Sequence, residues 1–168
     1  MTAMYEAAPT MEETSLRDAM SLFATGVTVL TVGGEHVHGM TANAFSSVSL
    51  DPPLVLACIA HSAVMHEAIA TTKRFGVSIM GADQQATAKY FADKRRPLGA
   101  EQFDAVDWVE GRHSGAPLLN GSLAWIECEL VQSYAGGDHT IFVGRVLSAS
   151  RGADAPALLF YSSAFHRI

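Results

Sequence analysis

Apolar residues at helical spacing predict where the first helices of the chain lie. From Ser15 the apolar residues recur three and four positions apart, which predicts a helix that stops at Gly26. Ser15 and Asp18 form an approximate capping box at the start of this helix. A second, shorter helix is predicted over residues 63–70.

The middle of the chain changes from a helical pattern to a pattern typical of loops. Residues 84–92 predict a third helix, which we expect to bury Ala88, Phe91 and Ala92. Residues 93–122 are rich in glycine and proline, so this stretch is predicted to be mostly loop.

Strand patterns dominate the rest of the sequence. Runs of β-branched and apolar residues are bounded by glycine or proline, and apolar and polar residues alternate most clearly from Ala124 to Val131. Seven strands with a few short helices predict a mainly β fold, a closed or nearly closed antiparallel barrel. The predicted strands are residues 27–32, 37–40, 54–59, 75–80, 124–131, 139–147 and 158–161.

Length and composition describe one globular domain. The chain has 168 residues, of which 49% are hydrophobic and 17% are charged, enough to bury a sizeable core. We expect residues 1–14 to form a flexible tail and residues 15–168 to form the domain. The net charge is −6, and the only basic cluster is at residues 94–96. Nucleic-acid binding needs a basic face, so this balance argues against that class of protein.

Cysteine usage and the start of the chain both favour the cytoplasm. Cys58 and Cys128 each lie inside an apolar run, and we expect both to be reduced core residues. The first residues lack the basic start and apolar stretch of a signal peptide, and no run reaches membrane-spanning length.

Several common chemistries have no support in the sequence. No glycine-rich dinucleotide fingerprint follows the first strand, and there is no phosphate-binding P-loop. Residues 111–115 contain a serine between glycines, but the spacing of a nucleophile elbow is wrong by one position. His36 and His38 would share one face of a strand. We expect them to be surface histidines rather than metal ligands, because no third ligand follows at a suitable spacing.

The segment MTANAFSSVSLDPPL, residues 40–54, is the strongest candidate for a functional site. It has two interpretations. The first is a serine-rich loop whose hydroxyls bond their own backbone. The second is a preformed site for a planar, polar ligand, because small side chains allow close approach and hydroxyls and backbone N–H groups bind carbonyls and phosphate. The residues alone do not identify such a ligand.

This segment resembles the signature of the short-chain flavin reductase family, the reductase partners of two-component flavin-dependent monooxygenases. Three other segments resemble the family in the same order along the chain: ATGVTV at residues 24–29, RFGVSI at residues 74–79, and GDHTIFVGRV at residues 137–146. The resemblance covers nearly all of residues 15–161.

The resemblance implies a homodimeric, FMN-binding split barrel with antiparallel, Greek-key-like strands and a few short helices. It implies a reductase that uses NADH or NADPH to reduce FMN or FAD and supplies diffusible reduced flavin to a partner monooxygenase. The alternatives are a split-barrel enzyme that keeps its flavin, a flavin- or heme-binding split barrel without turnover, and a small-molecule-binding barrel with no cofactor.

The resemblance also assigns site residues. The isoalloxazine ring would contact Thr41, Ala42 and Asn43. Its edge and the ribityl phosphate would contact residues 46–49. The opposing wall of the site would be formed by Cys58, Ile59, Ala60 and Ser62. The flavin tail would be covered by Phe91, Ala92 and Lys94, with Lys94 as the candidate phosphate partner. These flavin-binding residues are Thr41, Ala42, Asn43, Ser46, Ser47, Val48, Ser49, Cys58, Ile59, Ala60, Ser62, Phe91, Ala92 and Lys94.

Two features bear on the nicotinamide nucleotide. The resemblance associates His139 with that nucleotide, as the residue nearest to a catalytic role. The neighbouring Asp138 has two interpretations, a partner that orients the imidazole through a hydrogen bond or a simple turn former. Family members often carry a basic residue soon after the final strand. Residues 161–165 contain none, although Arg167 follows, so the sequence does not decide between NADH and NADPH.

Overall fold

The computed structural model describes residues 13–168, so the predicted tail at residues 1–14 lies outside the described residues except for its last two positions. Three helices and twelve strands follow one another along the described chain. They are α1 (Glu13–Ser21), β1 (Thr25–Gly26), β2 (Thr28–Val32), β3 (His38–Ala42), β4 (Phe45–Leu50), β5 (Pro53–Ala60), α2 (Val64–Thr72), β6 (Arg74–Ile79), α3 (Gln85–Ala92), β7 (Trp108–Glu110), β8 (Pro117–Leu119), β9 (Ala124–Gly136), β10 (His139–Arg151), β11 (Leu158–Tyr161) and β12 (Ala164–Arg167).

The strands form three sheets, and every described pairing is antiparallel. The main sheet has seven strands in the order β3-β2-β6-β9-β10-β5-β4. A three-stranded sheet has the order β1-β11-β12, and β7 pairs with β8 in a small third sheet. This architecture confirms the predicted mainly β, antiparallel fold with a few short helices.

The long hairpin of β9 and β10 forms the centre of the main sheet. Each of its strands has 13 residues, and their register shifts at Val143/Gly144 and again at Val146/Ser148. Such bulges increase the local twist and help a sheet to curl. The turn that joins the strands places Gly137 at a φ of +69°, a conformation that costs glycine little.

Two groups of buried side chains stabilise the fold. The first lies between the main sheet and α2, where Leu30, Phe75 and Met65 are fully buried. The second lies beneath α3, where Phe91 packs against Phe103 with ring centroids 5.4 Å apart. Burial of apolar surface of this kind is the main favourable contribution to folding.

Three predictions about the helices were wrong in detail. Helix α1 ends at Ser21, not at Gly26, because Gly26 pairs with Leu159 in the three-stranded sheet. Ser15 lies inside this helix, so the expected capping box does not start it. Ala92 is exposed at the end of α3, since only one face of this helix meets the core.

The strand predictions missed β1, where a helix was expected, and four further strands. Residues 93–122 are not only loop, because β7 and β8 pair within them. A final strand, β12, pairs with β11 and was not predicted. Residues 45–50 form strand β4 at the edge of the main sheet, where Ser46, Ser47, Val48 and Leu50 are exposed. An edge strand tolerates such a serine-rich sequence because only one of its sides needs a partner. Over residues 13–168 no helix is long and apolar enough to cross a membrane.

Candidate functional site

The two ends of the main sheet approach each other across a cleft of about 500 Å³. Strand β3 is one edge of the sheet, and β5 lies next to the opposite edge, yet residues of both strands line this cleft. The backbone N–H of Cys58 donates to the carbonyl oxygen of Ala44 at 3.0 Å, so the connection after β3 is fixed to β5. The cleft is therefore the seam at which the curled sheet fails to close, and we call it the seam cleft.

The free edge of β3 supplies backbone hydrogen-bonding groups to this cleft. The N–H of Gly39 donates to Gln102 Oε1 at 2.9 Å, and the carbonyl of Gly39 accepts from Arg96 Nη2. Both groups of Gly39 therefore point away from β2. In an antiparallel strand the direction alternates with a period of two, so the N–H and C=O of Thr41 also face the free edge. The N–H and C=O of Thr41 can bind a planar heterocycle that carries a hydrogen-bond acceptor next to a donor.

Most of the predicted site residues come together in the seam cleft. They are contributed by β3, by the connection that follows it, by the end of β5, by α3 and by the start of β10. The predicted residues that line the cleft are Thr41, Ala42, Asn43, Cys58, Ile59, Ala60, Ser62, Phe91, Ala92, Lys94 and His139. Their individual roles in binding stay predictions.

The four predicted residues of the serine stretch do not line the seam cleft. Ser46, Ser47, Val48 and Ser49 belong to β4, on the side of β5 that is distant from β10. Ser46 lines a separate groove of about 970 Å³, which meets the seam cleft at Asn43, Ala44 and Cys58. These residues belong to the sequence motif, but β4 places them outside the cleft.

His38 is buried beside the seam cleft, which corrects the expectation that it is a surface histidine. Its exposed fraction is 4%, and its Nε2 lies 3.2 Å from Arg96 Nη2. Burial, followed by the positive charge of Arg96, lowers the pKa of His38 to about 4, so its imidazole is neutral near pH 7. Among the described residues no group of three or more His, Cys, Asp or Glu side chains is placed to hold a metal ion.

Arg96 fixes the segment after α3 against β3. Its Nη1 donates to the carbonyl of Asp93 at 2.8 Å, its Nη2 donates to the carbonyl of Gly39, and its guanidinium lies 5.9 Å from the ring centroid of Phe91. Within the described chain its buried Nε has no hydrogen-bond partner. Burial lowers the pKa of Arg96. Lys94, two positions earlier, is exposed and lines the same cleft.

His139 lies at the other side of the cleft, where its orientation is fixed by a neighbour. Its Nδ1 is 2.7 Å from Asp138 Oδ1, the contact that the sequence suggested. The hydrogen bond with His139 is the main reason that the pKa of Asp138 is below its ordinary value. When Nδ1 donates to this carboxylate, Nε2 remains available for a ligand in the cleft. The next residue, Thr140, contacts His66 Nε2 through its hydroxyl at 2.8 Å.

Sequence reasoning missed several residues that line the cleft. Arg96 and Leu98 belong to the segment after α3, where the basic cluster at residues 94–96 was the available signal. Met40 and Ala44 belong to the segment at residues 40–54 that the sequence already marked as a candidate site. His38, Ala63 and Val64 reach the cleft only through the tertiary structure. The missed lining residues are His38, Met40, Ala44, Ala63, Val64, Arg96 and Leu98.

Comparison with known families identifies the family to which the domain belongs. A family model described as a flavin reductase like domain matches residues 20–168. The chain belongs to this family. The resemblance found in the sequence is therefore confirmed, and the seam cleft lies within the flavin reductase like domain.

Individual relatives cover nearly the whole domain. The chain is 49% identical over 156 residues to an NADH-dependent FAD reductase of Streptomyces globisporus, a match that covers 93% of this chain and 86% of that protein. It is 42% identical to an NADH-dependent flavin reductase of a Rhodococcus species, covering 95% and 89%. Among solved structures, BorF, the flavin reductase component of a bacterial two-component tryptophan halogenase, is 50% identical. BorF superposes with a TM-score of 0.90 and covers 94% of this chain and 98% of its own.

Proposed function

We propose that this protein is an NADH-dependent flavin oxidoreductase that reduces FMN or FAD and releases the reduced flavin to a partner monooxygenase. The observation that carries the proposal is the seam cleft, where the free backbone groups of β3, small side chains and His139 meet in one place. Membership of the flavin reductase like family and the names of the relatives support the same reaction.

The residues of the cleft suit this reaction because the two nucleotides carry the chemistry themselves. Hydride passes from a dihydronicotinamide to an oxidised flavin, and the protein needs to bring the two rings into contact. The alanines at positions 42, 44 and 60 leave room for a planar ring beside the Thr41 backbone. The imidazole of His139, oriented by Asp138, would contact the nicotinamide nucleotide. No essential general acid is assigned.

The cleft also suits a flavin that leaves after reduction. Ala92, Lys94 and Leu98 are exposed at its rim, so one side of a bound flavin would remain close to solvent. Incomplete enclosure limits affinity, and a faster dissociation rate favours delivery to a second enzyme. Relatives named as reductase subunits of monooxygenases, such as HsaB of Rhodococcus jostii, support a partner of that class.

The test is oxidation of NADH and of NADPH by the purified protein, with and without added FMN, FAD or riboflavin. Oxidation that depends on added flavin and is faster with NADH is the expected result. A protein that binds flavin but oxidises neither nucleotide would be a carrier, and the proposal would fail. Oxidation of NADH at the same rate without added flavin would indicate a retained flavin and would contradict release.

A homodimer is part of the proposal. The groove of about 970 Å³ is lined largely by apolar side chains, including Met20 and Phe23, whose exposed fractions are 55% and 66%. Exposed apolar patches of this kind are typical of subunit interfaces. A second copy seated there would border the seam cleft at Asn43, Ala44 and Cys58. Light scattering should give the mass of two chains, and Phe23→Ser should weaken the association; a wild-type monomer would refute it.

The cytoplasm is the proposed location. Cys58 and Cys128 are both free, and a reducing compartment keeps such thiols unpaired. A reductase that consumes NADH also needs the compartment that supplies it. Fractionation of cells that express the chain would test this location, and recovery outside the cytoplasmic fraction would contradict it.

A further inference from the structure

The end of the β9–β10 hairpin, which carries His139, is exposed and has few contacts of its own. The side chains of His139 and Asp138, which bond each other, have exposed fractions of 43% and 93%. An exposed pair of this kind contributes little to holding either side chain in one orientation. The turn before it contains Gly137, and the exposed ends of hairpins are among the parts of a fold that open most readily. Contacts from another element must therefore hold His139 at the seam cleft.

The start of α2 and the connection that leads to it from β5 supply these contacts. The backbone N–H of His61 donates to the carbonyl of Asp138 at 3.0 Å, and His66 Nε2 lies 2.8 Å from Thr140 Oγ1. Adjacent side chains of a strand point to opposite faces, so Thr140 faces α2 while His139 lines the cleft. The hairpin end is thus fixed at residues 138 and 140, on either side of His139.

The imidazole of His66 is itself held in place. Its ring centroid lies 5.2 Å from that of His61 and 5.1 Å from that of Phe142. Its neighbour Met65 is fully buried in the core, as is Ile69 one turn later, so this part of α2 is fixed against the main sheet. A ring packed between two others has little rotational freedom, and its Nε2 is therefore directed at the Thr140 hydroxyl.

The hydrogen bond between His66 and Thr140 does not serve a ligand directly. His66 and Thr140 are not among the residues that line the seam cleft, whereas His139 is. A binding group that is already in place loses less conformational entropy when its ligand arrives. A nucleotide that contacts His139 therefore benefits from a hydrogen bond on the other face of β10.

We propose that His66 is a positioning residue for the nicotinamide nucleotide. Through the Thr140 hydroxyl it fixes the hairpin end, and the hairpin end holds the His139 imidazole at the cleft. This inference rests on the proposed reductase function, in which His139 contacts that nucleotide. Because His66 lies outside the cleft, it acts on the nucleotide only through Thr140 and His139.

The test compares Thr140→Val, which keeps the shape of the side chain and removes its hydroxyl, with Thr140→Ser, which keeps the hydroxyl. Thr31→Val is the matched control, because Thr31 Oγ1 donates to the carbonyl of Pro117 at 2.6 Å at a site outside the cleft. Steady-state kinetics gives kcat and the KM of NADH, and flavin fluorescence gives the Kd of FMN.

Only the loss of the Thr140 hydroxyl or of the His66 imidazole should affect the nucleotide. For Thr140→Val we expect the KM of NADH to rise about fivefold, the order expected for one hydrogen bond, with kcat and the Kd of FMN unchanged. His66→Leu should have the same effect. Thr140→Ser and Thr31→Val should keep the wild-type KM.

A double-mutant cycle with His139→Ala separates positioning from a merely structural role. If the hydroxyl acts through His139, Thr140→Val should change the KM by less than about twofold once residue 139 is alanine. A general loss of structure would instead raise the KM by the same factor with and without the imidazole.

Each outcome has one meaning. An equal rise of the KM in both backgrounds, a similar rise in Thr31→Val, or an unchanged KM in Thr140→Val would overturn the proposal. Failure of the reductase function is distinguishable, because the wild type would then oxidise no NADH with any added flavin. NMR of the ring nitrogens would still test the positioning: Thr140→Val should shift the signals of His139, and unchanged signals would overturn it.

Discussion

Gln102 connects the stability of the fold to the shape of the seam cleft, and replacing it should affect both. Its side chain is fully buried, Oε1 accepts from the N–H of Gly39 at 2.9 Å, and Nε2 donates to the carbonyl of Gly99 at 2.7 Å. One amide therefore joins the edge of β3 to the end of residues 94–98, which follow α3 and which we call the rim segment. Gln102→Leu keeps a side chain of similar size and removes both hydrogen bonds.

The magnitude follows from the two backbone groups that lose their partner. A buried donor or acceptor left without a hydrogen bond costs about 1–3 kcal/mol, so the loss of both should cost about 2–6 kcal/mol of unfolding free energy. Domains of this size are stable by about 5–15 kcal/mol, so the variant should still fold. Release of the rim segment should also weaken FAD binding by about fivefold, or about 1 kcal/mol.

A second glutamine provides the control. Gln84 Oε1 accepts from the N–H of Gly81 at 2.9 Å, and its Nε2 donates to the carbonyl of Asn120 at 3.0 Å, the same pattern at a site outside the cleft. Urea unfolding of both leucine variants should show similar losses, whereas FAD titration should show weaker binding only for Gln102→Leu. Unfolding free energy that falls by less than about 1 kcal/mol for Gln102→Leu, or equal weakening of FAD binding in both variants, would refute the reasoning.

Three further predictions concern single residues. Burial raises the pKa of Glu127, but hydrogen bonds from Ser114 and His113 outweigh it and leave the pKa lowered. The stability that Glu127 contributes is therefore present above its unfolded pKa of about 4.5 and is lost as the pH falls below it. Glu127→Gln should be less stable than the wild type at pH 7 and should lose less stability on acidification. Parallel curves of unfolding free energy against pH for the two proteins would exclude this role. His139→Ala should raise the KM of NADH more than the Kd of flavin, and equal changes would count against its assigned role. Ala92→Phe should weaken flavin binding at least about tenfold with an unchanged Tm, because Ala92 is exposed and lines the cleft; unchanged affinity would place the ring elsewhere.

The sequence was most informative where a function depends on neighbours along the chain. The small residues Thr41, Ala42 and Asn43 follow one another, and the apolar alternation from Ala124 marks β9 directly, so both could be recognised locally. The same local reasoning could not show that Ser46–Ser49 lie outside the seam cleft, because a residue pattern does not say on which side of β5 the next strand lies. Their role in flavin binding stays a prediction.

The features of the site that could not be predicted from the sequence depend on contacts between distant segments. His38 and Gln102 are 64 residues apart, and their burial beside Arg96 exists only once the segment after α3 is packed on β3. A histidine in a polar hairpin is usually exposed, so no local signal distinguishes His38 from His36. Leu98 was missed for a related reason, because an isolated leucine in a loop has no periodicity to interpret.

The unpaired edge of β3 explains why a ligand site can form at this seam. A sheet that closed completely would pair the free edge of β3 with the opposite end and leave no backbone groups for a ligand. Here the hydrogen bond from Cys58 to Ala44 continues the β4–β5 ladder into the short connection after β3, while Gly39 is satisfied by Gln102 and Arg96. Thr41 lies between the hydrogen-bonded positions Gly39 and Ala44. Its N–H and C=O are therefore available to a planar ligand. The small side chains at residues 41–44 follow from this position, since any larger group would fill the space in which that ligand must lie.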